Sequence, residues 1–272
     1  MTEKIREQGT VLRQSALAPG IFSMEIATGA ASFARPGQFI SLYSDDPSHI
    51  LPRPISLCQI DRDGSRFGNG QPALRIVYRT VGAGTKEFSR KKSGDRIGLF
   101  GPLGNGFEDR PKAEKVLLVG GGIGIPPMVA LAEALAKNGF SKDQIISCMG
   151  YRDRALFLDG ELERCSRFYP ATEDGSVGTK GTVLDAIREQ SLTADMMFAC
   201  GPKPMLRALK EYAKSLDLPL YISMEERMAC GIGACLGCVC KTVDTDEHSR
   251  VKNTRVCADG PVFDARRIDL DA

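Results

Sequence analysis

The spacing of hydrophobic and polar positions changes partway along this chain. Up to about residue 105 the apolar residues come in short runs of β type: Phe39 to Tyr43, Ile55 to Ile60, Leu74 to Tyr78 and Arg96 to Phe100. Turn-forming clusters separate them, among them Arg35-Pro36-Gly37, Asp61-Arg62-Asp63-Gly64 and Lys92-Ser93-Gly94-Asp95. Short strands punctuated in this way predict an antiparallel barrel. From about residue 112, strand-like runs alternate with amphipathic stretches, the pattern of βαβ units on a parallel sheet. The candidate strands are Val116 to Val119, Gln144 to Cys148, Met196 to Ala199 and Leu220 to Ser223, and the candidate helices are Pro126 to Lys137, Thr182 to Glu189 and Pro204 to Leu216. A third block, from about 226 to 272, is a cysteine-bearing appendage. The expected fold class is multidomain β plus α/β, divided at 1–108, 109–224 and 225–272.

Composition narrows the classes of function. The 272 residues suffice for two domains plus the appendage. With 36 basic and 34 acidic residues the net charge is +2, which gives no reason to expect nucleic acid or an anionic membrane surface as partner. The most apolar stretch, Val116 to Ala136, is interrupted by Gly120-Gly121-Gly122, Pro126-Pro127 and Glu133, so it reads as strand, loop and helix rather than a membrane span. Met1 to Thr10 holds Glu3, Lys4, Arg6 and Glu7 and no apolar core, so a cytoplasmic, reducing setting is expected.

Four of the nine cysteines carry the sharpest chemistry: Cys230, Cys235 and Cys238 in Cys-Gly-Ile-Gly-Ala-Cys-Leu-Gly-Cys, then the more distant Cys257. C-x4-C-x2-C with a remote fourth thiol is the spacing of a plant-type [2Fe-2S] site. Two irons and two sulfides carry negative charge, so backbone N–H groups must turn toward sulfur, and Gly231, Gly233 and Gly237 permit that. A structural zinc site also uses four thiolates, but usually as two short knuckles. Cys240 is read as a non-ligand pointing away from the irons, and Cys58, Cys148 and Cys165 as ordinary core or half-buried thiols.

Two Gly-rich turns suggest nucleotides. Val116 to Val119 runs into Gly120-Gly121-Gly122-Ile123-Gly124-Ile125-Pro126-Pro127, which presents a turn and a helix N-terminus to an anion such as a pyrophosphate. Phe198-Ala199-Cys200-Gly201-Pro202 ends another strand, which places a second turn at the same carboxyl edge of the sheet. In the barrel, Arg53-Pro54-Ile55-Ser56 offers a guanidinium and a hydroxyl at a strand start, and Gly82-Ala83-Gly84-Thr85 leads into a short helix at Lys86-Glu87-Phe88-Ser89. Two anion sites and one cluster imply a flavin plus a nicotinamide, because a flavin alone can exchange a hydride for single electrons.

Arg53 to Ser56, Gly101-Pro102-Leu103-Gly104-Asn105-Gly106-Phe107, the Gly120 to Pro127 turn, Cys200-Gly201-Pro202-Lys203-Pro204-Met205 and Met224 to Cys235 together resemble the electron-transfer subunits of class B dihydroorotate dehydrogenase, within the ferredoxin-NADP reductase superfamily. The resemblance implies an FAD-binding barrel, a parallel-sheet nicotinamide domain and a small C-terminal [2Fe-2S] domain. It implies FAD contacts at Arg53, Pro54, Ile55, Ser56, Val77, Tyr78, Arg79, Gly84 and Thr85, and cluster ligation by Cys230, Cys235, Cys238 and Cys257. Ile55 stands where the wider superfamily has an aromatic residue. The partner implied is an FMN-containing catalytic subunit, two of each in a heterotetramer, that oxidises dihydroorotate and passes electrons through the cluster and FAD to NAD. No catalytic acid or base is assigned here.

Glu173 and Asp174, in Tyr169 to Gly175, fall where NADP-using relatives hold the 2′-phosphate, so NAD is expected, although Asp-Gly is also a common turn. Ile232, Ala234 and Leu236 are read either as a docking loop or as a dry shell under the cluster. Two alternatives stand beside this reading. One is a related FAD/[2Fe-2S] reductase subunit serving ferredoxin, sulfide or a hydrogenase; the other is a zinc-stabilised nucleotide-binding module.

Overall fold

The computed structural model describes residues 3–245 and 250–271. The ends of the sequence-based divisions at Met1 and Ala272 lie outside them, as do the first two residues of the leader reading. Six strands close the expected barrel in the order β1-β2-β5-β4-β3-β6: β1 Ile5–Ala18, β2 Ile21–Ala27, β3 Phe39–Leu42, β4 Arg53–Asp61, β5 Ala73–Arg79 and β6 Arg96–Leu103. Four of these extend or trim the expected runs by a few residues. β1 and β2 were not legible, and β1 explains why. It pairs with β2 on one side and β6 on the other, with register shifts between Val11 and Arg13 and between Ala16 and Ala18, so its inward positions break strict alternation. The short helix α1 spans Ala83–Phe88, so Gly84 and Thr85 lie within it rather than in a turn before it.

The second unit is a sheet in the order β10-β9-β8-β7-β11-β12-β15, parallel except at its last strand. Its members are β7 Val116–Gly121, β8 Ile145–Tyr151, β9 Arg167–Thr172, β10 Thr179–Lys180, β11 Met196–Cys200 and β12 Leu220–Ser223, with helices α2 Ile125–Lys137, α3 Asp159–Cys165, α4 Val183–Glu189 and α5 Lys203–Ser215. The strand order reverses at β7 and β11, where Gly120 pairs with Cys200 in register. Open parallel sheets hold ligands in the crevice at such a reversal. The expected helices form within a residue or two, Thr182 capping α4 by accepting from the Asp185 N–H. α3, β9 and β10 were missed. They are short, and β9 contains Pro170, which argues against a strand on sequence alone.

The cysteine block is not a separate bead. After β13 Val239–Lys241 and β14 Asn253–Arg255, β15 Val262–Asp264 pairs antiparallel with β12 and so extends the large sheet. One apolar cluster joins Phe39 and Leu103 of the barrel, Leu117 and Val119 of the sheet, and Cys238, Val256 and Phe263 of the C-terminal block. A second joins barrel residues Ile21, Cys58, Val77 and Phe107 to α2 and to Phe198.

α2 explains much of this arrangement. Nine of its residues, from Ile125 to Ala132 and Leu135, are buried, because the helix packs between the sheet and strand β4 of the barrel, while Lys137 at its end is exposed. Among the described residues no helix is long and apolar enough to cross a membrane.

Phe198 lies where these layers meet, wholly buried, edge-on to Phe107 at 5.7 Å and stacked on Tyr221 at 5.8 Å. Phe198→Ala is expected to lower unfolding stability by about 3–5 kcal/mol, the range for emptying an aromatic core site. Urea denaturation followed by circular dichroism measures it, and a loss under about 1 kcal/mol would contradict the packing described.

Candidate functional site

The two Gly-rich turns touch. A Cβ on Gly124 would lie 2.2 Å from the Cys200 carbonyl oxygen and 2.7 Å from the Gly201 nitrogen, contacts that only hydrogen allows. The expected anion site is built with fewer donors than the sequence suggested. Pro126 and Pro127 occupy the first turn of α2 and carry no N–H, and the Ile125 N–H is spent on the Gly122 carbonyl. The helix dipole and the glycine turn are left to face an anion.

Arg79 reaches this edge from the barrel, its Nη2 3.6 Å from the point where a Cβ on Gly122 would project. Glu225, which no sequence signal distinguished within the Met224 to Cys235 run, meets both sides. Desolvation raises its pKa and the Arg79 charge opposes that. The residue is nonetheless exposed to solvent. Cys200 is fully buried beside it; burial pushes its thiol up strongly, the Glu225 charge adds to this, and a hydrogen bond with Ser223 opposes it.

The barrel residues divide by direction. Arg53, at the start of β4, lies over α1, with its Nε 2.9 Å from where a Gly84 Cβ would stand, so a larger residue there would push the guanidinium aside. The Arg53 guanidinium also donates to the Leu51 carbonyl. Pro54, Ile55 and Ser56 follow half-buried, Ile55 packing on the barrel core. The Thr85 hydroxyl accepts from the Val81 and Gly82 N–H groups at 3.0 and 3.2 Å, so it ties the turn together rather than standing free for a phosphate.

Val77 and Tyr78 do not offer side chains to the cleft. Val77 packs toward the nicotinamide unit. Tyr78 points into the barrel, edge-on to Phe88 and hydrogen-bonded by Gln14 at 2.8 Å, and burial pushes its phenol up to about 12. Strand alternation turns Tyr78 inward and sends Val77 and Arg79 outward, Val77 into the interface and Arg79 to the ligand edge.

The cysteines form a cradle. The Gly233 N–H points at Cys257 Sγ (3.1 Å), and the Cys235, Gly237 and Cys257 N–H groups point at the sulfurs of Cys230, Cys235 and Cys238 (3.4 Å each). Such donors favour thiolates and suit an anionic cluster. The thiols fall into two pairs, Cys230 with Cys235 and Cys238 with Cys257. Burial works against ionising Cys230, but the N–H groups of Ile232, Cys235 and Ala234 and the Cys235 thiol outweigh it and hold its pKa low; burial and the neighbouring Cys238 push Cys257 up.

Among the described residues no three His, Cys, Asp or Glu side chains converge as donors to a single ion. Cys240 lies in β13 with its side chain in the core, and burial raises its thiol to about 11.

Contacts that the sequence could not foretell bring the cradle to the barrel. A Cβ on Gly231 would sit 3.1 Å from Leu103 Cδ1 and 3.3 Å from Ser41 Oγ, and Ser41 pairs in register with Pro54, next to Arg53. The cradle therefore rests on the same strand pair that begins at Arg53. Ile232, Ala234 and Leu236 lie on its outer side, Ile232 and Leu236 being 49% and 60% exposed. At the far side of the nicotinamide cleft Tyr169 to Thr172 belong to β9, and the turn holds Glu173 and Asp174. Asp174 accepts from the Ser176 N–H and hydroxyl at 2.9 and 2.7 Å, which makes it a turn former.

Residues 225–269 match the iron-sulfur cluster binding domain of dihydroorotate dehydrogenase B, and residues 118–211 match the oxidoreductase NAD-binding domain. The chain is 40% identical over 270 residues to the dihydroorotate dehydrogenase B (NAD(+)) electron transfer subunit of Geobacillus thermodenitrificans, with 97% of this chain and 99% of that protein covered. It is 41% identical over 272 residues to the same subunit of Bacillus caldolyticus, at the same coverage. It also superimposes on a solved structure of an NADH-dependent reduced ferredoxin-NADP oxidoreductase, described for flavin-based electron bifurcation. That match has a TM-score of 0.83 at 27% identity and covers 97% of this chain and 90% of the other.

Two substitutions test the site. Cys235→Ala is expected to abolish iron and acid-labile sulfide, whereas Cys240→Ala retains both; the reverse pattern in elemental analysis would exchange their roles. Arg53→Ala removes a charge-assisted contact worth roughly 1.5–3 kcal/mol, so FAD affinity should fall by about one to two decades, read as flavin lost on dialysis. A folded variant with full flavin content would reduce Arg53 to a loop anchor.

Proposed function

The chain belongs to the family of dihydroorotate dehydrogenase B electron transfer subunits, and from that premise we propose that it links dihydroorotate oxidation on a partner subunit to NAD through a [2Fe-2S] cluster and FAD. The observation that carries this reading is the contact of Gly231 with Ser41 and Leu103, which brings the thiol cradle onto the strand pair that begins at Arg53. When bound, the cluster carries single electrons, the flavin converts them to a hydride, and the nicotinamide accepts it.

The chain's own residues position and shield. Cys230, Cys235, Cys238 and Cys257 hold the cluster, and the N–H groups of Gly233 and Gly237 offset its negative charge. Arg53, Pro54, Ile55, Ser56, Arg79 and the backbone at Gly84 would hold the flavin, the arginines offering charge to its phosphates or ring edge. Val77, Tyr78 and Thr85 contribute through backbone and fold rather than through free side chains. Gly120 to Gly124 and Cys200-Gly201 form the floor under the nicotinamide. Glu173 favours a ribose hydroxyl over a 2′-phosphate, so NAD is the acceptor.

The working divisions are residues 1–108 for the flavin barrel, 109–224 for the nicotinamide unit and 225–272 for the cluster unit. The partner carries FMN, the assembly contains two of each chain, and the setting is cytoplasmic. The relatives' family and the iron-sulfur match favour this reading over a zinc-stabilised module and over a reductase serving ferredoxin, sulfide or a hydrogenase. A direct test adds dihydroorotate to the loaded chain with and without the FMN subunit. Bleaching of its flavin and cluster absorbance only when the subunit is present is the expected result; bleaching without it would place dihydroorotate chemistry on this chain.

The outward apolar loop supplies the docking face in this reading, because Ile232, Ala234 and Leu236 allow close approach without burying an unpaired charge. Leu236→Glu is expected to abolish co-purification with the FMN subunit and dihydroorotate-dependent NAD reduction, while NADH-to-dye activity and iron content persist. Loss of iron together with partner binding would make Leu236 part of the cluster's shell.

A further inference from the structure

Away from the ligand edge, the barrel and the nicotinamide unit are joined by an unbroken chain of polar side chains set into their apolar interface. Glu161 of α3 accepts from Arg75 of β5 at 2.7 Å. Arg75 also donates to Ser23 of β2 at 2.7 Å and to the Gln59 side-chain oxygen of β4 at 2.9 Å. The Gln59 amide nitrogen donates onward to Glu133 of α2. Glu133 receives both terminal nitrogens of Arg66, at 2.7 and 2.9 Å. The side chains of Arg75, Glu161 and Glu133 are only 12%, 20% and 14% exposed.

The order of charges matters. Along the chain the groups run anion, cation, neutral amide, anion, cation, and the Gln59 amide turns its oxygen to Arg75 and its nitrogen to Glu133. An apolar interface is non-directional and tolerates sliding. This chain does not, because a slip would pull Glu161 and Glu133 off their arginine and amide partners and leave two largely buried carboxylates unpaired. Glu133 also sits eight residues beyond Ile125 on α2, about 12 Å along the axis from the Gly-rich turn. A tilt of about 5° about that point would move the turn by about 1 Å, a displacement that can cost on the order of a hundredfold in rate.

We propose that the Glu161-Arg75-Gln59-Glu133-Arg66 chain is a positioning device that fixes the angle between the flavin barrel and the nicotinamide unit, and so the alignment of hydride transfer. The proposal rests on the functional reading above. In the direction used for the test, a hydride leaves C4 of the reduced nicotinamide with both bonding electrons and bonds to the flavin, which takes its second proton from water. The nicotinamide is oxidised, the flavin is reduced, and an added dye then accepts the electrons.

The test uses the full chain loaded with FAD and cluster, as parent, Arg75→Met and Glu161→Gln. Hydrogen exchange of residues 57–61 and 129–135 reports the interface without reference to turnover. The primary deuterium isotope effect and KM for NADH in dye reduction report alignment. In Arg75→Met, exchange at both segments should speed up on the order of tenfold, kcat should fall about ten- to a hundredfold with a larger isotope effect, and KM should stay within about twofold. Glu161→Gln keeps the shape and the hydrogen bond but removes the charge, so it should move both readouts the same way by less; it decides the matter if Arg75→Met does not fold.

Unchanged exchange in a folded variant would overturn the proposal, and so would faster exchange with kcat and isotope effect at the parental values, which marks a merely structural contact. Failure of the parent to keep FAD or oxidise NADH would instead overturn the functional reading. The exchange measurement separates the two failures.

Discussion

The burial of α2 between barrel and sheet, nine of its thirteen residues, is the constraint on which the rest of this molecule depends. So wide an apolar surface cannot be left in water, so β4 and the central strands close on it from both directions. That closure fixes the outward side of the barrel against the nicotinamide unit and leaves the carboxyl ends of β7 and β11 facing the cleft. Glu133, the acidic residue on the helix, then has to find partners within the interface, and Gln59 and Arg66 supply them. Packing supplies the bulk of the adhesion, and the polar chain supplies its direction.

The cluster unit depends on the same closure at one remove. Its strand β15 is an edge of the sheet and its Gly231 loop lies on β3 and β6, so neither contact exists until barrel and sheet have met. This gives the thiol cradle two different surroundings. Cys238 and Cys257 sit in the core that all three units share, while Cys235 lies at the surface beside the exposed Leu236. A site dry on one side and open on the other suits a relay that receives electrons from outside and hands them inward.

Much of this was legible in the chain, for reasons that can be named. The change from short β runs to strand-helix alternation marks the two architectures because their side-chain periods differ, and the cysteine spacing points to a cluster because three of its four ligands lie within one tight loop. Strands lost to the reading, β1, β2, β9 and β10, were those whose pattern is broken by bulges, a proline or extreme shortness. Tyr78 shows the limit at the level of a single residue. Its place in a flavin-contacting segment is a matter of sequence, but the direction of its side chain follows from strand register, which turns it into the barrel toward Phe88.

By itself the sequence determined the fold class, the cluster ligand spacing, the glycine turns and the family likeness, because each is written in residues near one another along the chain. Only the tertiary structure decided that Gly231 rests on Ser41, that the Arg79 charge acts on Glu225, that Asp174 is spent on its own turn, and that five side chains from β4, β5, α2, α3 and a loop join in one line. Nearly all of these are contacts between segments far apart in sequence, set by how the α2 interface closes. No local period or motif records them, since the energy that selects them comes from packing and charge order in the assembled fold.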